Sequence, residues 1–126
     1  MKNPIGEWNR DFRLLALAVA SQGIFFGVQL TLFNNFIVER LNIEPHELGY
    51  VEALREVPGF MNAFFVALMV RFAPPIVAAL SLVVMGLGIM AYAQVDSVFW
   101  LAMYSLVWSV GFHCCIPMEQ LMSLIY

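Results

Sequence analysis

The sequence predicts an all-α membrane protein, a bundle of four transmembrane helices. Apolar residues make up 62% of the 126-residue chain, against about 45–50% in soluble domains, and the mean hydropathy is +0.82. They are collected in four long stretches that short polar segments separate. A soluble fold of this size could not bury so much apolar surface. We therefore expect a single transmembrane domain over residues 1–126.

The first two spans are predicted at residues 14–37 and 48–70. At about 1.5 Å of rise per residue, each crosses a hydrocarbon layer of about 30 Å. Pro45 stands where the second helix would begin, a place that proline tolerates well. Arg71 and the pair Pro74-Pro75 end the second span, because proline disfavours helix in the residue before it.

The third and fourth spans are predicted at residues 76–93 and 98–116, the last extending to 125 if the helix continues past Pro117. The third span has no charged residue. Asp96 and Ser97 offer an N-cap for the fourth. Small residues four apart predict where the helices approach each other closely, and they form three sets: Gly23 with Gly27, Gly59 with Ala63 and Ala67, and Ser105 with Ser109.

Polar side chains occur inside the first and fourth spans. Gln22 and Gln29 are seven residues apart and so share one face of a helix. Ser109 and His113 are four apart on the fourth span. Facing lipid, these groups would lack hydrogen-bond partners. We expect them to face either another helix or a water-filled path.

The second span carries three charges at helical spacing, Glu52, Arg55 and Glu56. Residues three and four apart lie on one side of a helix, and charges in hydrocarbon are costly. We therefore expect this cluster to face protein. It is either a structural set of ion pairs or a gate whose pairing changes as a cavity opens and closes.

Basic residues in the flanking segments predict the orientation. Lys2, Arg10, Arg13 and Arg71 lie on one side of the predicted membrane, and Arg40 lies on the other. Since cytoplasmic segments are enriched in Lys and Arg, we expect a cytoplasmic N-terminus in the plasma (inner) membrane.

Several segments together resemble the N-terminal part of a major facilitator superfamily (MFS) transporter. They are Asn9-Arg10-Asp11-Phe12-Arg13, Leu41-Asn42-Ile43, Leu48-Gly49, Gly86 with Gly88, and Gly111-Phe112-His113 leading to Pro117. The signature turn between spans two and three is degenerate, because only Arg71 of its basic residues is present. The chain is thus similar to spans 1–4 of the six-helix N-terminal domain of a divergent member.

The resemblance implies secondary active transport of a small solute by alternating access. It implies that spans one and four line the central cavity and that span two flanks a gate. The substrate-cavity candidates are then Gln22, Gln29, Ser109 and His113, and the gate or coupling candidates are Glu52, Arg55 and Glu56. Alternating access needs two bundles, so we expect the chain to be a fragment. Its expected partners are the lipid bilayer, the solute, and the remainder of the transporter or other copies of itself.

Two alternatives remain open, and other classes are excluded. The chain could be a complete four-span protein, acting as an oligomeric small exporter or as a non-transporting membrane scaffold. An enzyme is not expected, because no nucleophile–base pair is visible. No cofactor or metal is expected either, since His113, Cys114 and Cys115 are too few and too closely spaced as ligands. A nucleic-acid partner is not expected, because there is no basic stripe.

Overall fold

The computed structural model describes residues 10–125, and in that part of the chain the regular structure is helical. Lys2, which contributes to the predicted orientation, and Asn9, which contributes to the resemblance, lie outside the described residues. Within residues 10–125, five α-helices follow in order: α1 (Arg10–Leu41), α2 (Pro45–Phe60), α3 (Asn62–Met69), α4 (Pro74–Met90) and α5 (Val98–Ile125). A 3-10 turn, Ala91–Gln94, continues α4. Among the residues that the structure describes, three helical segments are long and apolar enough to cross a membrane, Arg10–Leu41, Pro74–Gln94 and Val98–Ile125.

Helix α1 contains the whole first predicted span and extends it at both ends. Its buried residues, Gln22, Gln29, Phe33 and Ile37, are seven, four and four apart, so they form one stripe along the helix. The helix ends where Asn42 takes a φ of 47°, a left-handed conformation that Asn tolerates better than most residues. The N–H of Asn42 still donates to the carbonyl oxygen of Val38, at 3.2 Å.

The second predicted span, residues 48–70, is divided between two helices in the structure. Helix α2 begins at Pro45, as predicted, and the N–H of Glu44 donates to Glu47 Oε2 at 2.9 Å. It ends at Phe60, and α3 starts after Met61. Pro58 and Gly59, from the two residue types that disfavour helix most, come directly before the break. Hydrogen bonds continue across it, because Met61 N–H donates to Val57 and the Met61 carbonyl accepts from Phe65.

Helices α4 and α5 form an antiparallel hairpin that agrees with the third and fourth predicted spans. Pro74 and Pro75 occupy the first turn of α4, where a missing N–H costs no hydrogen bond. Helix α5 runs through Pro117 to Ile125, which selects the longer of the two predicted limits. Helix α5 contacts each of the other four helices, α4 most extensively.

Glycines set the close approach of α4 to α5. A Cβ added to Gly88 would lie 2.7 Å from Trp108 Cβ, and one added to Gly111 would lie 2.7 Å from the carbonyl oxygen of Ser81. Neither glycine belongs to the three predicted sets of small residues. Of those sets, Ser105 and Ser109 are buried, whereas Gly23, Gly27, Ala63 and Ala67 are exposed. The prediction that the Gly23–Gly27 pair makes a helix contact is therefore wrong within this chain.

The outer surface of the bundle is largely apolar. Large apolar side chains such as Leu30, Phe60 and Leu124 are 64%, 89% and 85% exposed. The interior, in contrast, holds the polar side chains of Gln22, Gln29, Ser81, Ser105 and Ser109. An apolar outer surface, with these five polar side chains buried among the apolar ones of the interior, is the arrangement expected of helices surrounded by lipid.

We expect Gly88→Ala to destabilise the bundle, because the new Cβ has no room against Trp108. Overpacking of this kind typically costs about 1–3 kcal/mol. Gly86→Ala is the matched control, since a Cβ there has no heavy atom within 4 Å. Alanine favours helix over glycine by up to about 1 kcal/mol, so the control is expected to be neutral or slightly stabilising. Thermal unfolding of the purified protein in detergent measures both, and equal effects at the two positions would contradict this packing.

Candidate functional site

Arg55 organises the charged face of α2. Its guanidinium forms an ion pair with Glu52, one turn earlier in the helix, and its Nε lies 3.7 Å from Glu56 Oε1. The same guanidinium lies over the ring of Trp108 on α5, 5.5 Å from its centroid, within cation–π range. Arg55 thus links two carboxylates of α2 to an aromatic side chain of α5.

The three charged side chains differ in burial. Arg55 is 18% exposed, Glu52 is 37% and Glu56 is 57%. Arg55 therefore faces the protein as predicted, whereas Glu56 lies at the edge of the bundle and only partly fits the prediction. Glu56 presents a carboxylate near Arg55 without being enclosed.

Ser109 joins the backbone of α2 to α5. Its hydroxyl donates to the main-chain carbonyl oxygen of Arg55. His113 lies one turn further along α5, and its Nδ1 is 3.0 Å from the carbonyl oxygen of Ser109 and 3.2 Å from Ser109 Oγ. Because a carbonyl oxygen can only accept, Nδ1 carries a proton in this contact. In the neutral ring, Nε2 is then the accepting nitrogen.

The accepting side of His113 faces α2. A Cβ added to Gly59 would lie 2.7 Å from His113 Nε2, so the glycine allows the imidazole to reach the α2 backbone. This contact agrees with the prediction of close helix packing at Gly59. A larger residue at position 59 would displace the His113 ring.

Gln29 completes the site from α1. A cavity of about 80 Å³ is lined by Phe26, Gln29, Leu30, Arg55, Glu56, Trp108, Ser109, Phe112 and His113. Gln29 is 7% exposed, and its Nε2 has no hydrogen-bond partner among the described residues. Five of the predicted cavity and gate residues therefore meet at one cavity, which contains an unsatisfied amide donor.

The remaining candidates lie elsewhere. Gln22 is near the other end of the α1–α5 contact, where its amide meets the Glu119 carboxylate. Glu52 reaches the site through Arg55 and does not line the cavity. Arg71 is exposed in the turn between α3 and α4, the place assigned to the loop between spans two and three.

A buried hydrogen-bond chain beside the cavity was not predicted. Trp108 Nε1 donates to Tyr92 Oη at 2.7 Å, and Tyr92 Oη lies 2.6 Å from Ser105 Oγ. The chain fixes the indole that lies under Arg55. The position of Tyr92 near the end of an apolar span could have indicated such a chain, because a buried tyrosine hydroxyl usually requires a hydrogen-bond partner.

No family model, curated protein or solved structure matches this chain. Residues 10–125 form an all-helical bundle with three segments long and apolar enough to cross a membrane. Within the same residues, no group of three or more His, Cys, Asp or Glu side chains could hold a metal ion.

We expect Tyr92→Phe to destabilise the protein by about 1–3 kcal/mol, because it leaves the buried Trp108 N–H without an acceptor. Tyr104→Phe is the control, since the Tyr104 ring stacks on Trp100 and its hydroxyl bonds to no other described residue. Thermal unfolding in detergent, followed by tryptophan fluorescence, compares the two. A Tyr92→Phe variant as stable as the control would show that the chain is dispensable.

Proposed function

We propose that this chain is part of a secondary active membrane transporter for a small solute, similar to spans 1–4 of the MFS N-terminal domain. The observation that carries the proposal is the cavity shared by Gln29, Arg55, Glu56, Ser109 and His113. Polar groups from three helices converge there in a chain whose surface is largely apolar. Ionisable side chains inside membrane helices are rare, and they commonly mark the path of a solute or an ion.

The proposal includes four spans, with α2 and α3 together forming the second. Residues 45–69 extend about 37 Å at 1.5 Å per residue, enough for a hydrocarbon layer of about 30 Å. The hydrogen bonds from Val57 through Met61 to Phe65 support a helix that continues through an irregular turn.

The cavity chemistry favours a ligand with a hydrogen-bond acceptor. Gln29 supplies the unpartnered N–H groups, and Phe26, Trp108 and Phe112 supply aromatic surface. A volume of about 80 Å³ corresponds to two or three water molecules at about 30 Å³ each. The cavity therefore fits one polar end of a solute, such as a carboxylate, carbonyl or hydroxyl group. The second bundle, supplied by the remainder of the transporter or by other copies, would enclose the rest.

Arg55 is the proposed gate. Its guanidinium lies between Glu52 and Glu56, and its main chain is held by Ser109. A change of partner from one carboxylate to the other would move positive charge toward or away from the cavity mouth without unfolding α2. Rocking of the two bundles against each other would drive that exchange.

A panel of small amino acids, sugars and carboxylates tests the cavity through thermal stabilisation of the purified chain. A ligand at about 100 times its Kd stabilises by about 2.7 kcal/mol. We expect at least one class to raise the unfolding temperature of the wild type and of Gln120→Leu, an exposed amide on α5. The increase should be lost in Gln29→Leu and in His113→Ala, which remove cavity groups.

His113→Gln keeps a hydrogen-bonding side chain at that position without the imidazole ring. Stabilisation kept in His113→Gln and lost in His113→Ala would assign the imidazole a hydrogen-bonding role. The cavity is not the solute site if Gln29→Leu and His113→Ala are stabilised like the wild type.

The cytoplasmic N-terminus is tested by labelling single cysteines in a background lacking Cys114 and Cys115. We expect a cysteine at Glu44, in the α1–α2 segment, to react with a membrane-impermeant maleimide added outside intact cells. A cysteine at Pro74, at the start of α4, should react only after the cells are opened. Labelling of position 74 from outside would reverse the proposed topology.

A further inference from the structure

A second polar site lies between α1 and α5, away from the cavity. Glu119 is a half-buried carboxylate within α5, six residues or about 9 Å from Ile125 along the helix. With its nitrogen turned toward the carboxylate, the Gln22 amide donates to Oε1 at 2.9 Å and to Oε2 at 2.8 Å. Cys115 Sγ, one turn earlier on α5, lies 3.4 Å from Oε1. Glu119 is therefore held by two neutral side chains.

The Gln22 amide suits either protonation state of the carboxyl group. An ionised carboxylate only accepts hydrogen bonds, whereas a protonated one also donates. Gln22 is 9% exposed, and reversing its amide places the carbonyl oxygen where the nitrogen was. That oxygen would accept a hydrogen bond from the O–H group of a neutral Glu119. The amide can thus keep a hydrogen bond to Glu119 before and after protonation.

The surroundings of Glu119 are apolar and hold few other titratable groups. Its α5 neighbours Cys115, Met118 and Met122 pack in one cluster with Phe65, Val66 and Met69 of α3 and with Val77 and Ala78 of α4. On α1 the facing group is Gln22, nine residues and about 13 Å beyond Arg13 along the helix. The thiol of Cys115 is the titratable group in contact with the carboxylate.

We propose that Glu119 is a proton-exchange site, with the Gln22 amide turning as the carboxyl group gains or loses its proton. The proton comes from water and returns to water, so no other reactant is needed. A bound Na⁺ fits less well, because hard cations require several oxygen ligands and one of the three groups here is a thiol.

Glu119 lies toward the end of the bundle that carries the α3–α4 turn. Helix α4 is antiparallel to α5, with Gly88 against Trp108 and Gly111 against Ser81, so the start of α4 lies near the level of Glu119. In the proposed transporter, Glu119 would make protons the coupling ion. That role rests on the proposed function, whereas proton binding itself does not.

Infrared spectroscopy of the full chain in lipid nanodiscs tests proton binding without any transport assay. With glutamate labelled by ¹³C, the carbonyl band of a protonated carboxyl group should appear as pH is lowered. We expect Glu119→Gln to lose that band and Glu56→Gln, the control at the edge of the bundle, to keep it. Gln22→Leu should keep the band but shift its frequency, because the carbonyl loses its amide partner.

A second measurement does not depend on the Glu119 variant folding. In the wild type, the side-chain amide resonances of ¹⁵N-labelled Gln22 should move with pH in step with the infrared band. The proposal is wrong if Glu119 stays ionised throughout the interval from about pH 5, just above the ordinary range for carboxyl groups, to about pH 9. It is also wrong if the band responds to added Na⁺ at fixed pH, or if the Gln22 resonances do not change.

Discussion

The contact of Trp108 with α4 is the interaction on which the rest of the bundle depends. Its main chain lies against Gly88, and its indole N–H donates to Tyr92. Its ring contacts Phe25 and Phe26 of α1 edge-on and lies under Arg55 of α2. One side chain thus joins α1, α2, the end of α4 and α5. Aromatic side chains suit this role, because they combine a large contact area with a polar N–H that needs a partner.

The lipid environment explains why so many contacts inside are polar. Burying apolar surface does not drive helices together when the solvent is itself apolar, so close backbone packing and hydrogen bonds between helices take over. The Ser109–Arg55, Tyr92–Ser105 and Gln22–Glu119 contacts are of this kind. Gln29 differs from them, since its Nε2 is buried without a partner. A donor left in that state costs free energy, and in the proposed transporter a solute would supply its acceptor.

Hydropathy and helical spacing predicted much of this arrangement. The long apolar stretches placed α1, α4 and α5, and the turn-by-turn spacing placed Gln29, Ser109, His113 and Arg55 on inward faces. The sequence did not show that Gly23 and Gly27 would be exposed while Gly88 and Gly111 carry the close contact. Spacing describes one helix, whereas the choice of face depends on where its neighbours lie. Glu119 was missed for a related reason, because Pro117 suggested that the helix could end before it.

Position and charge at Arg55 are set by separate contacts. Ser109 holds the main chain, and the two carboxylates and the indole hold the guanidinium. The main chain of Arg55 and its guanidinium are therefore held by different neighbours. Substitutions at Ser109 would alter the packing of α2 against α5 but would not remove either carboxylate partner of Arg55. Substitutions at Glu52 or Glu56 would relocate the cation while the helices keep their register. The two properties of one residue can thus vary independently of each other.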